Sequence, residues 1–216
     1  PRFGAFLELK IDQKIDQDFE QKKQALTDKL LAYVLSDGVD RPSFRQLAIA
    51  AETSEPTLRH YFKDRTGLII HLLEQINDRS EPMRDILRQP QDNLDDAVKG
   101  YFRQMAALTR TDSYVKVHAF GIREAMADEE IQKFYLQKYL ASGIDSVAER
   151  LVRSKGGVKS FDEARHAAIL IVSASLLRVV HQEVLKGKVH KPLDEDIYFE
   201  RVGEWLLNGL RPTSDE

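Results

Sequence analysis

The chain has no cysteine among its 216 residues. Disulfides and thiolate metal sites are therefore excluded, and a reducing compartment is compatible with the composition. No stretch reaches the ~18 consecutive apolar residues that mark a membrane span. The first residue is Pro, which points to a processed or trimmed chain. The opening PRFGAFLELKIDQK lacks the basic-then-apolar order of a signal peptide, so the cytoplasm is the expected location, with no membrane association. Positive charge is also scarce, with a formal net charge of −3. A globally basic nucleic-acid binder is thereby excluded, and any such activity must come from local charge. Six histidines are present, but His166 and His181 are too far apart for adjacent turns, His71 and His118 lack a carboxylate four residues on, and His181 and Glu183, two apart, lie on different faces. No Gly-x-Ser-x-Gly turn marks a nucleophile. Neither a metal site, nor a cofactor, nor an enzyme is expected.

With 42% hydrophobic and 31% charged residues the chain has an ordinary soluble composition. Its most specific stretch is SFRQLAIAAETSEPTLRHYFKDRTGL, residues 43–68. Ser43 followed three residues later by Gln46 is a capping box, so a helix starts at Phe44. Phe44, Leu47, Ala48 and Ala51 then share one face, and the small Ala48 admits a second helix closely. Ser54 caps that second helix, Pro56 lies in its first turn where a missing N–H is harmless, and Leu58, Tyr61 and Phe62 form its buried face. Two short helices joined by Glu52 and Thr53 can only cross sharply, as a helix-turn-helix whose second helix suits a major groove. From Arg41 to Arg65 five cations oppose three carboxylates, whereas from Asp194 to Glu216 seven carboxylates oppose two cations. Charge is thus distributed in the direction that DNA binding requires.

Around this motif the periodicity is helical throughout. Residues 1–15 read as a plain helical extension or as an arm along a phosphate backbone through Arg2, Lys10 and Lys14, which Glu8, Asp12 and Asp16 offset. Phe19, Leu26, Leu30, Tyr33 and Val34 mark a supporting helix, stopped by Ser36-Asp37-Gly38. Asp64 caps a helix running through Ile76, which places Lys63 and Arg65 at its N-terminus and makes it the link between two domains, 1–66 and 67–216. Pro82 and Pro90 punctuate the chain after this helix, and the polar residues 88–93 read as a connection. Helices are then expected over 93–110, 114–127 and 129–153, the last ended by Gly156-Gly157. Ser160 with Glu163 opens a helix to about Leu185 whose centre is apolar on every side, and a final helix spans 194–210. Burial on every side is most easily met by a second copy, so helices 162–185 and 194–210 are expected to form a homodimer, with Leu176 and Leu206 in the interface. The fold class is all-α, about nine helices in all, with an N-terminal helix-turn-helix domain followed by a helical domain.

The pattern Leu47-Ala48-x-x-Ala51-x-x-Ser54-x-x-Thr57-Leu58-x-x-Tyr61-Phe62-x-x-Arg65-x-x-Leu68 resembles the tetracycline-repressor (TetR) family of bacterial regulators. Two positions depart from it: Glu52 stands where the family usually has the Gly of a left-handed turn, and Arg59 where it has a phosphate-contacting Tyr. The resemblance implies that Arg45, Ser54, Glu55, Pro56 and Thr57 face bases or adjacent phosphates, and that Arg59, His60, Tyr61, Lys63 and Arg65 hold the backbone. Chemistry agrees: Arg45 can fork onto guanine, Glu55 can accept from cytosine and Pro56 can pack on a thymine methyl. It further implies a ligand-released repressor, bound as a dimer to a palindromic double-stranded operator. Tyr101, Phe102, Met105, His118, Arg123, Tyr135, Tyr139, Arg178 and His181 are the candidates to line a small-molecule effector cavity. Arg178 follows the apolar run and, if buried, needs an anionic partner, which favours an acidic or aromatic effector; an exposed Arg178 pairing across a dimer is the alternative. The competing function is a helical interaction or scaffold protein whose helix-turn-helix contacts another protein.

Overall fold

A computed structural model describes residues 2–36 and 40–210, with side chains from Asp16 onward apart from those of Asp112 and Leu210. The side chains of Arg2, Lys10 and Lys14, and the stop residues Asp37, Gly38 and Pro212, lie outside the described residues. Every regular element among the described residues is helical. The chain divides into two compact units, one reaching to Leu72 and the other beginning at Leu73.

The first unit contains α1 (Arg2–Val34), α2 (Phe44–Ala50), α3 (Glu55–Phe62) and the start of α4 (Arg65–Arg79). Leu30, Leu31 and Val34 of α1 meet Leu47 and Ala48 of α2, Leu58 and Phe62 of α3, and Leu68, Ile69 and Leu72 of α4 in a core where each is buried. At roughly 1.5–3 kcal/mol for each large side chain removed from water, this core is what holds two helices of seven and eight residues that are too short to persist alone.

The second unit comprises the rest of α4, then α5 (Glu81–Arg88), α6 (Leu94–Leu108), α7 (Asp112–Ala125), α8 (residues 129–153), α9 (Phe161–Val184), the single turn α10 (Gly187–His190) and α11 (Glu195–Leu210). Helix α5 ends at Arg88 and α6 begins at Leu94, so the expected connection is present, while α5 itself fills the Pro82 segment before it. Pro82 sits in its first turn, where it starts a helix rather than stopping one. Asn93 caps α6 by accepting from the Asp96 N–H at 2.7 Å, and Ser160 caps α9 by accepting from the Glu163 N–H at 3.1 Å. The long α8 and α9 each widen into a π-helical stretch, at Tyr135–Leu140 and Val180–Val184 respectively. Helix α9 packs on α8, α11 on α6, and α5 on α8.

By length and composition α9 would suffice to cross a membrane, with a mean hydropathy of 1.5 over its most apolar window. One face of it, through Ala164, Ala168, Ile171, Ser175 and Val179, nevertheless forms core with the rest of the second unit. Its opposite face carries Ile169, Leu170 and Leu177, the last two 60% and 63% exposed, and α11 carries Ile197 and Trp205 at 57% and 67%. Leu206 packs against the core cluster instead, and Leu176 is half-buried, so the exposed apolar side chains lie one residue away from the two leucines expected in an interface.

Candidate nucleic-acid interface

The start of α2 is the expected reciprocal box: the Ser43 N–H donates to Gln46 Oε1 at 2.8 Å and the Gln46 N–H donates to Ser43 Oγ at 3.3 Å. Its end is a Schellman motif, with the Thr53 N–H on the Ala48 carbonyl and the Glu52 N–H on the Ile49 carbonyl. That motif needs a left-handed residue, and Glu52 supplies it at φ 55°. Lys29 Nζ reaches Glu52 Oε2 at 2.5 Å, so the strained residue is tied to α1. The hydrogen bond and charge of Lys29 hold the Glu52 carboxyl below its ordinary pKa.

Helix α3 begins with Ser54 Oγ accepting from the Thr57 N–H at 3.2 Å, and the two hydroxyls lie 2.8 Å apart. Leu58 and Phe62 are buried, whereas Tyr61 is only half-buried, its ring 4.7 Å from Phe19 and 5.0 Å from His60. Arg45, Ser54 and Pro56 are exposed, with Glu55 and Thr57 partly so, which leaves the residues expected to read bases accessible at the head of α3. The Arg59 guanidinium lies 5.2 Å from the centroid of the Phe44 ring, a cation–π contact that a Tyr at this position would not make.

The end of α3 is unusual. Lys63 has φ 74° and ψ −63°, and the Asp64 N–H donates to the Phe62 carbonyl at 2.9 Å, the geometry of a strained γ-turn. Asp64 then caps α4 as expected, accepting from the Gly67 N–H at 2.8 Å. A Cβ on Gly67 would meet the Phe62 carbonyl oxygen at 2.5 Å, so this turn requires glycine there. Strain of this kind persists only where the surroundings over-determine it, and here it aims Lys63 outward. The Nε of Arg65 donates to the Pro42 carbonyl at 2.8 Å, so the side chain braces the segment before α2.

Lys23, Arg59, His60, Tyr61, Phe62, Lys63, Gly67 and His71 line a cleft of about 340 Å³. Three of these are cations and none is a carboxylate. Beneath it Thr27 donates to the Lys23 carbonyl at 2.8 Å, so its one proton is committed and the His71 Nε2–H, 3.1 Å away, must be the donor to its hydroxyl. Burial, then the charge of Lys23, pushes the His71 pKa down. Lys23 and His71 lie on other helices, and no spacing within the motif could have found them.

In the second unit the effector candidates separate. Tyr101, Met105, His118, Tyr135 and Tyr139 come together with Tyr114, which periodicity placed on a helix without singling it out. Tyr101 bonds the Ser175 hydroxyl at 3.2 Å, Tyr114 donates to Met105 Sδ at 3.5 Å, and His118 Nδ1 lies 3.2 Å from the Tyr135 hydroxyl. Burial pushes the Tyr101 hydroxyl up to about 12 and the His118 imidazole down to about 4, so the cluster is uncharged at neutral pH. The other candidates lie elsewhere or are already engaged. Phe102 stacks on Phe199 at 5.8 Å between α6 and α11, Arg123 is half-buried on α7, and His181 lies on the π-helical turn with Nδ1 2.5 Å from Gln182 Nε2.

Arg178 is buried as one expectation required, but its partners belong to the chain. It bonds Glu183 at 3.3 Å and also pairs with Glu195, so its charge makes no demand on an effector and does not reach across a dimer. Nothing in its own helix could reveal Glu195, which arrives from α11.

No protein-family model and no curated protein matches the chain. Solved structures do. The chain is similar to a TetR-family transcriptional regulator from Mesorhizobium loti MAFF303099 at 16% identity and a TM-score of 0.63, over 88% of this chain and 97% of that one. It is also similar to one from Rhodococcus sp. at 15% identity and a TM-score of 0.60, over 88% and 98%. At these identities the likeness is one of fold, and the all-α fold of the chain is that of TetR-family regulators.

Proposed function

We propose that the chain is a TetR-like transcriptional regulator, acting in the cytoplasm as a homodimer on a palindromic double-stranded DNA operator. The observation that carries this reading is the first unit's surface: Arg45 and the 54–57 corner are offered to solvent beside a cleft lined by Lys23, Arg59 and Lys63 with no carboxylate among its lining residues. Bidentate Arg45 and the corner residues supply base reading, and the cleft supplies phosphate attraction. Arg65 serves this surface indirectly, by holding the Pro42 carbonyl.

Dimerisation is supported by the exposure of Leu170, Leu177, Ile197 and Trp205, large apolar side chains of the kind a partner surface covers. Two-fold symmetry then matches two half-sites set by groove spacing. In this reading the aromatic cluster of Tyr101, Tyr114, His118, Tyr135 and Tyr139 is where a small effector acts, flanked by a π-helical turn of the kind often found at functional sites. An effector favouring one spacing of the recognition helices shifts the DNA equilibrium by its differential affinity, which makes the protein a ligand-released repressor. The uncharged state of Tyr101 and His118 favours a neutral aromatic or hydroxylated effector over an acidic one.

A gel-shift titration on the promoter region beside its own gene tests the reading. Binding that weakens steeply with salt supports it, and no binding to any DNA at low salt overturns it in favour of a helical interaction protein.

A further inference from the structure

Three arginines among the described residues are buried: Arg84, Arg150 and Arg178. A guanidinium taken out of water needs an anion or several acceptors in compensation. Arg84 has Glu81 at 2.5 Å and the Asn77 carbonyl at 2.7 Å. Arg178 has Glu183 and Glu195. Arg150, 3% exposed, has neither: its hydrogen bond is to the amide oxygen of Gln104, at 3.5 Å, and its Nε is buried with no partner among the described residues.

What stands beside it is a second cation. A Cβ built on Gly100 of α6 would lie 2.6 Å from Nη2 of Arg150 and 3.8 Å from Nη2 of Arg103, so both guanidinium groups converge on the one position of α6 that has no side chain. Arg103 is exposed. Burial, and then the positive charge of Arg103, push the Arg150 pKa down, with no carboxylate among the described residues offsetting it; Arg103 itself lines a groove with Asp196, Glu200 and Glu204. Like charges do not gather on a glycine for stability. The planar forks of two arginines are, by contrast, the donor set that matches an oxyanion bidentately.

We propose that Arg150 and Arg103, converging over Gly100 between α6 and α8, form a binding site for a small-molecule oxyanion, a carboxylate or a phosphoryl group. The buried Arg150 supplies a fixed fork, and the exposed Arg103 closes on the ligand from solvent. The site uses none of the residues of the aromatic cluster, and it does not depend on the DNA-binding reading, because its occupancy is measured without DNA.

The test is thermal unfolding and calorimetric titration of the full chain with inorganic phosphate and with citrate, against sodium chloride at matched ionic strength. A saturable rise in Tm with one of the two, absent with chloride, is expected, and which probe is stronger separates phosphoryl from carboxylate recognition. Arg103→Gln should weaken that binding by about tenfold or more without loss of fold, since its side chain lies in solvent. Arg150→Met should fold with a Tm equal to or above that of the parent, because an unpaired buried charge is removed, and should lose the anion response. If Arg150→Met does not fold, Arg103→Gln alone decides. No saturable response to either probe, or a response of unchanged size in Arg103→Gln, overturns the assignment.

Discussion

Lys29 Nζ on α1 sits 2.5 Å from Glu52 Oε2, across the turn of the helix-turn-helix. Glu52 holds a left-handed φ of 55° that glycine would adopt without strain, so the pair fastens to the supporting helix the residue whose backbone is least content. The carboxyl pKa is lowered by Lys29, so the pair contributes above the unfolded carboxylate pKa and is lost as pH falls through the lowered folded value. Glu52→Gly should raise Tm, because relief of strain outweighs an exposed ion pair. Lys29→Ala should lower Tm in the parent and leave it unchanged in Glu52→Gly, and the difference should shrink at high salt. Equal effects of Lys29→Ala in both backgrounds would remove the pair's role.

Base and phosphate contacts differ in their salt signature. Arg45→Ala should weaken binding by ~1–3 kcal/mol on the cognate operator while sparing random DNA. Lys63→Gln should weaken both alike and reduce the salt slope by about one. Arg65→Ala should appear in Tm, through the lost bond to Pro42, with the slope unaltered. Salt-dependent gel shifts on both DNAs, paired with thermal unfolding, distinguish the three.

Gly67→Ala places a Cβ 2.5 Å from the Phe62 carbonyl and cannot be absorbed by a flexible side chain. The γ-turn at Lys63 must open, at a cost of about 1–3 kcal/mol in chemical denaturation. Wild-type stability in this variant would mean that the turn is not over-determined.

His118 titrates near pH 4 in the folded chain against an ordinary value of 6.5, because burial disfavours its charged form. The unfolded chain therefore binds the extra proton first, and stability falls as pH drops from about 6.5 to about 4, by roughly 3 kcal/mol. His118→Gln should flatten that part of the pH–stability curve. Urea titrations between pH 4 and 7 check it, and an unchanged slope would place His118 outside the proton linkage.

Leu177→Asp and Trp205→Asp should sediment as monomers while keeping their helical circular dichroism, since both side chains lie in solvent within the chain. Leu206→Asp should lose stability instead, because Leu206 packs against the core cluster. A dimer that survives both exposed substitutions would move the interface elsewhere.

What the sequence by itself determined is what local chemistry controls. Capping residues Ser43, Ser54, Asp64 and Ser160 start helices because their side chains satisfy the backbone N–H three residues onward, and that needs no partner from elsewhere. The strained turn at Glu52 was legible for the same reason, as a position where a two-residue link must go left-handed. Residue type on the middle helices singled out Tyr101, His118, Tyr135 and Tyr139, which the fold brings together, but not that Phe102 would face α11. Tertiary structure alone decided the rest, because a charge is judged by what reaches it from other helices. Arg178 meets Glu195, Arg65 meets Pro42, and Arg150 meets another arginine in place of a carboxylate. On α9 it is Leu177 that stands in solvent and Leu176 that is half-buried, which the sequence could not tell, since a helix apolar all round carries no stripe to fix which face the core will take.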